Sequence, residues 1–134
     1  MRKTLISASF VALAGTPALA FEFVCQVKDM AGGFISSVVA MSYDEGSDKA
    51  LVFDGVTKAA TDKPMAAKIK DRGNGKYRLT YRVNDIPTTT RKVDINYRIE
   101  IDTRTKAMTM RGLIPGVENS IIGKGQCETA KWKP

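Results

Sequence analysis

The sequence contains no histidine among its 134 residues, which excludes a catalytic triad built on an imidazole base. It also lacks the Gly-x-Ser-x-Gly motif of serine hydrolases. Met108 and Met110 would place two thioethers on one strand face. Without histidine or a free cysteine nearby, we interpret them as core residues rather than copper ligands. We therefore predict a non-enzymatic protein with no cofactor and no metal site.

No apolar stretch in the sequence is long enough to cross a bilayer, which takes about 20 residues. A shorter apolar run over residues 5–14 follows two basic residues at 2–3 and precedes small residues on either side of Leu19. These are the three parts of a cleavable secretory signal. We predict that residues 1–20 are a signal peptide cleaved after Ala20, and that the mature protein is periplasmic or secreted.

Cysteine is scarce as well, because Cys25 and Cys127 are the only two. Export would place them where disulfides form and persist, so we expect one disulfide that joins the ends of a single domain over residues 21–134. In the chain-entropy model, a crosslink that closes a loop of about 100 residues stabilises the fold by roughly 4 to 5 kcal/mol. Since bridged Cα atoms lie within about 7 Å of each other, the two ends of the domain must be neighbours.

The dominant period of the mature sequence is two rather than 3.6. Residues 77–83 alternate apolar with polar side chains, and residues 93–102 do so over a longer stretch, which predicts two half-buried strands. No helix is predicted after the signal. Weaker alternation predicts further strands near residues 23–27, 35–43, 50–53, 65–70, 108–110 and 120–129.

About eight short antiparallel strands in up-and-down order predict an all-β fold. Because the disulfide makes the first and last strands neighbours, we expect the sheet to form a small closed or nearly closed barrel, a lipocalin-like meander. So narrow a barrel is filled by its own side chains. Gly123 and Gly125 share the face of Cys127, where small residues let a neighbouring strand pack closely. The residues expected inside are Phe23, Tyr77, Leu79, Tyr81, Ile95, Tyr97, Ile99, Met108 and Met110.

Basic residues outnumber acidic ones by 21 to 14, and the net charge stays near +5 once the signal is removed. This excess of positive charge favours an anionic partner, which would be either an envelope component or an acidic protein. Salt would weaken such an attraction. The alternative is that the charges only keep the outer sheet face hydrated. Nucleic acid is not expected because stacking aromatics are missing from this face. The outward residues of three consecutive strands form the predicted basic face: Lys68, Lys70, Lys76, Arg78, Arg82, Lys92 and Arg98.

Apolar residues also gather in two loops, 86–90 and 113–117, which an up-and-down topology places at the same end of the barrel. They define an alternative function, the carriage of a small apolar ligand in a barrel pocket. The same side chains could instead fold inward as a lid on the core, with the C-terminal tryptophan as a plug over one barrel end. The predicted pocket rim consists of Ile86, Leu113, Ile114, Val117 and Trp132.

An exported barrel with one cysteine in its first strand and another in its last resembles the periplasmic inhibitors of c-type lysozyme. Those inhibitors carry a Ser-Gly-x-x-Tyr segment, whereas the nearest stretch here, Gly-Asn-Gly-Lys-Tyr at 73–77, has no serine. A cationic inhibitor would also repel a cationic lysozyme. The resemblance is one of architecture, and no inhibitory function is assigned from it.

Overall fold

The computed structural model of the protein describes residues 19–29, 33–117 and 120–132. Residues 1–18, which make up most of the predicted signal peptide, lie outside the described residues. The described part forms eight strands and one short helix. In chain order these are β1 (Leu19–Asp29), β2 (Val38–Asp44), β3 (Lys49–Asp54), α1 (Gly55–Thr61), β4 (Met65–Gly73), β5 (Lys76–Pro87), β6 (Lys92–Asp102), β7 (Ala107–Leu113) and β8 (Ile121–Thr129).

Each strand pairs antiparallel with the next, and β8 pairs with β1 to complete a closed barrel. This confirms the predicted all-β fold and its up-and-down order. The longest ladder joins β5 to β6, the two strands whose apolar and polar residues alternate most regularly. We call the end of the barrel that carries α1 and the 113–117 loop the helix end, and the opposite end the hairpin end.

A disulfide closes the seam between β1 and β8. Cys25 lies directly opposite Cys127 in the ladder, with Cα atoms 3.8 Å apart, and both side chains are buried. Gly125 lies opposite Val27, and a Cβ atom on Gly125 would come within 2.4 Å of the Gln26 carbonyl oxygen. The prediction that small residues here permit close strand packing is therefore confirmed.

Side chains fill the interior of the barrel, as expected for so few strands. The rings of Tyr81 and Tyr97 stack with centroids 5.2 Å apart, and the Tyr97 hydroxyl donates to the Phe34 carbonyl oxygen at 2.7 Å. All nine predicted interior residues contribute to the core, although Tyr77 is only half-buried. Its ring packs against Tyr43 at the hairpin end, with centroids 5.6 Å apart.

The helix α1 was not predicted, because seven residues are too few for a 3.6-residue period to show in the sequence. Asp54 caps it by accepting a hydrogen bond from the Thr57 backbone N–H at 2.9 Å, and the Thr57 hydroxyl accepts one from the Asp54 N–H at 2.9 Å. Asp62 ends the helix in the left-handed conformation at φ 58°. This reciprocal cap fixes the chain between β3 and β4.

Replacing both Cys25 and Cys127 by alanine should lower the free energy of unfolding by about 4 kcal/mol, because the crosslink spans 102 residues of chain. Urea denaturation of the double variant and of the oxidised wild type measures the difference. Wild-type protein unfolded in reductant serves as the control and should match the variant. Equal transition midpoints for the variant and the oxidised protein would contradict the expectation.

Gly125→Ala should lower the free energy of unfolding by about 1 to 3 kcal/mol, since the added methyl group meets backbone atoms of β1 that cannot turn aside. Gly112→Ala is the matched control. Its methyl group would meet the side chains of Ile121 at 2.7 Å and Ile95 at 3.1 Å, whose atoms can shift more readily than a paired strand backbone. Thermal melts should rank Gly125→Ala as the more destabilised variant, and the reverse order would refute the close-packing account of the seam.

Candidate functional site

All seven predicted basic residues lie on the outer side of β4, β5 and β6 and are at least partly exposed. Strand alternation places them there, because the neighbouring residues point into the core. The register brings two of them side by side, because Lys70 lies opposite Arg78, and it places Thr80 opposite Lys68. The structure therefore assembles the predicted cations on one wall of the barrel.

Acidic side chains of β6 neutralise part of this wall. Arg78 Nε lies 2.5 Å from Glu100 Oε2, and an Arg82 guanidinium nitrogen lies 3.2 Å from Asp94 Oδ2. The pKa of Asp94 is lowered by a hydrogen bond from the Asp85 backbone N–H and by Arg82. Arg78 and Arg82 are thus engaged within the protein, by acids that the same alternation places on the outer face of β6.

Lys76 is compensated in a similar way. It lies opposite Asp102 in the β5–β6 ladder. The pKa of Asp102 is lowered first by a hydrogen bond from the Arg104 backbone N–H, and the charges of Arg104 and Lys76 lower it further. Three of the seven predicted cations therefore have acidic neighbours on the next strand or turn.

Three other cations form a row that crosses four strands, and we call Lys68, Arg98 and Arg111 the cationic row. Thr80 lies opposite both Lys68 and Arg98, and Arg98 lies directly opposite Arg111. Within the described part of the chain, none of the three cations forms an ion pair. Like charges directly opposite each other on neighbouring strands destabilise a sheet, so this row is a place where a bound anion would be favoured.

Arg111 was missed in the sequence. Met108 and Met110 were assigned to the interior, and the same alternation, carried one residue further, points Arg111 outward. The signal was present but weak, because the predicted strand was too short to include it. Its place opposite Arg98 depends on the register of β6 and β7, which alternation alone does not give.

Lys68 and Arg98 of the cationic row line a shallow groove of about 610 Å³ on the outer wall. The short side chains of Ala66, Thr80 and Asn96 lie along it, while longer ones surround them. Guanidinium, ammonium, hydroxyl and amide groups are all donors suited to phosphate, sulfate or carboxylate oxygens. We call this depression the cationic groove, and the outward-facing longer side chains that line it are Lys68, Arg82, Arg98 and Leu113.

The residues of the predicted pocket rim do not form one rim. Ile86 is buried and Ile114 packs partly against the core, as in the alternative in which these loops fold inward. Leu113 and Val117, by contrast, are 46% and 45% exposed. Ile86 and Ile114 therefore help to cover the core, whereas Leu113 and Val117 face outward, and we call these two residues the apolar tip.

Trp132 lies neither at the rim nor over a barrel end, so both expectations for it were wrong. Its ring stacks on Phe53 with centroids 6.5 Å apart, and its indole N–H donates to the Met41 carbonyl oxygen at 3.0 Å. The tail leaves β8 at the hairpin end and turns back across β1, where the Ala130 N–H donates to the Glu22 carbonyl oxygen. The indole N–H thus finds its acceptor on the outer wall of β2.

Two buried polar groups remain inside the helix end. Asp54 Oδ2 and the Tyr81 hydroxyl have no hydrogen-bond partner within the described part of the chain. Burial raises the pKa of Asp54, while its hydrogen bonds from Thr57 act in the opposite direction. Burial also raises the pKa of Tyr81 well above its usual value, with a further contribution from Asp54. Both groups are enclosed, so they affect stability rather than forming an accessible reactive site.

The chain matches no protein-family model, no curated protein and no solved structure. The described residues include no helix long and apolar enough to span a bilayer. They also contain no group of three or more acidic or cysteine side chains able to hold a metal ion. The disulfide fits a protein that has been exported to an oxidising compartment.

Asp54→Asn should remove one contribution to stability that falls as pH rises. Because the folded-state pKa of Asp54 is raised, this carboxyl group costs the wild type stability as pH rises from the ordinary carboxyl pKa through the raised one. Asparagine keeps the cap acceptor without the buried charge, so its advantage over the wild type should grow from pH 3 to pH 7. Urea denaturation across this range measures it.

Asp54→Ala provides the comparison for this experiment. Alanine removes the cap as well as the charge, so it should cost about 1 kcal/mol relative to Asp54→Asn at every pH. Parallel pH profiles for the wild type and Asp54→Asn would show that the buried carboxyl group does not carry the effect.

Proposed function

We propose that the protein is an exported, non-enzymatic binding protein of the bacterial envelope that engages an anionic partner through its cationic row. The observation that carries the proposal is the direct opposition of Arg98 and Arg111, with no acidic side chain of the described part paired to either. A bound oxyanion would replace this repulsion by charge-assisted hydrogen bonds from two guanidinium groups. Thr80 and Lys68 extend the same row.

The proposal narrows the basic face that the sequence indicated. Arg78 and Arg82 are held by Glu100 and Asp94, so they add less to the field above the wall than their number suggests. Lys70, exposed on β4, borders the row. The charged binding groups are exposed, so salt should screen their attraction to the partner. At physiological ionic strength this attraction is largely screened beyond a Debye length of about 8 Å.

A location in the periplasm or outside the cell belongs to the same proposal. The signal-like first 20 residues and the buried disulfide both support it, since such crosslinks persist in oxidising compartments. The excess of basic residues suits a compartment bordered by anionic polymers and lipids. An acidic envelope protein, which is also negatively charged, is a further partner that the cationic row could bind.

The carrier alternative lacks a supporting observation. Large side chains such as Tyr97, Met41 and Leu79 lie fully buried in the barrel. The four depressions described, from about 150 to 610 Å³, are all lined in part by charged residues. The interior thus resembles a packed core, and the outer wall offers the better site.

Reversing the cationic row, with Lys68, Arg98 and Arg111 each replaced by glutamate, should abolish binding of polyphosphate measured by titration calorimetry at low salt. The matched control reverses three exposed lysines elsewhere, Lys49, Lys58 and Lys63, and changes the net charge equally. We expect the control to retain binding within about threefold, because distant exposed charges are screened.

Circular dichroism and melting should show that both triple variants keep the fold, since all six positions are exposed. Equal loss of binding in the two variants would mean that net charge alone attracts polyphosphate, and the site would be rejected. Unchanged binding by the row variant would reject it as well.

A further inference from the structure

We infer that the β6–β7 side of the helix end docks on an anionic lipid surface, with Leu113 and Val117 entering the interfacial region and the surrounding cations contacting lipid phosphates. This inference rests on the proposed function and specifies its partner. The apolar tip, its support and the arrangement of charge around it each contribute to the argument.

The apolar tip stands out among the exposed residues. Only three large hydrophobic side chains in the described part are strongly exposed, and two of them lie four residues apart, Leu113 at the end of β7 and Val117 in the connection that follows. The third, Val38, lies on β2, three strand intervals away around the barrel. Two of the three strongly exposed apolar side chains therefore lie close together in sequence at the helix end.

A rigid turn supports this tip. The Val117 N–H donates to the Ile114 carbonyl oxygen at 3.0 Å, and Gly116 takes φ +86° after Pro115. Proline followed by a left-handed glycine is typical of a type II turn. Ile114 packs partly against the core and anchors the turn, so Leu113 and Val117 are held outward at little further entropic cost.

Cations border the tip on both sides. Arg111 precedes Leu113 by two residues on the same face of β7, and Leu113 shares the cationic groove with Arg98. On the other side, Arg91 and Lys92 line a depression of about 150 Å³ together with Ile114 and Pro115. Asp94, the acidic residue of that depression, is paired with Arg82. Glu118, next in sequence, lies outside the described residues.

Apolar side chains flanked by cations on two sides match the chemistry of an anionic bilayer surface. Apolar groups gain by entering the headgroup boundary, and each nearby basic residue adds attraction to anionic lipids. A soluble anion would contact the cations but make no use of Leu113 and Val117. A protein partner needs roughly 800 Å² of buried surface on each side, more than two side chains on a turn supply. A lipid surface uses both features together.

Cosedimentation with lipid vesicles tests the inference on the mature, oxidised protein. Vesicles of phosphatidylcholine alone are compared with vesicles containing equal parts of phosphatidylcholine and phosphatidylglycerol. The wild type should bind only the latter, and salt should weaken the binding. Replacing both Leu113 and Val117 by serine should lower the partition coefficient about tenfold. Val38→Ser, at a site that is 44% exposed, is the matched control and should bind as the wild type does.

The outcomes separate the two proposals. If the wild type binds polyphosphate through the cationic row but ignores phosphatidylglycerol vesicles, or if the double serine variant binds vesicles normally, lipid docking is wrong and anion binding stands. An equal loss in Val38→Ser would also overturn docking by this tip. If reversal of the cationic row affects neither polyphosphate nor vesicle binding, both proposals fail.

Discussion

The seam between β1 and β8 is the contact on which the barrel depends, because it pairs residues separated by almost the whole described chain. Its ladder carries the disulfide between Cys25 and Cys127, and Gly125 lets the two backbones approach where a methyl group would collide with Gln26. Closure removes the sheet edges that an open meander would expose to other chains. It also gives every strand two neighbours, which fixes the position of each outward residue.

That fixed register determines the electrostatics of the outer wall. In the β5–β6 ladder it places acids opposite Lys76 and Arg78 and lets Arg82 reach Asp94 diagonally, whereas in the β6–β7 ladder it places Arg98 opposite Arg111. β6 carries three acidic residues and β7 carries none, so the contrast comes from which residues each cation faces. Strand pairing thus produces two different regions on this wall. In one, ion pairs between neighbouring strands stabilise the sheet; in the other, a row of cations without acidic partners among the described residues lies beside an apolar turn and is available to a partner.

Features that depend on nearby residues could be predicted from the sequence, whereas features that depend on strand register or distant contacts could not. Strands such as β6 were predicted because alternation is local, and the disulfide because only two cysteines were present. The pairing of Arg82 with Asp94 was not predictable, since the β5–β6 register shifts between Val83 and Ile86 and alternation does not report such a shift. The position of Trp132 depends on an acceptor carbonyl on β2, a contact 91 residues away in the chain.

The docking of the tail has a consequence for how the protein is observed. Trp132 is the only tryptophan, and its environment is set by Phe53 and the Met41 carbonyl group rather than by the interior of the barrel. Indole emission therefore reports whether the last residues are attached to the wall. A tag fused after residue 134 would be separated from Trp132 by two residues, and a fusion before Phe21 would lie close to Glu22, which the tail also contacts, so the emission is sensitive to changes at both ends of the chain.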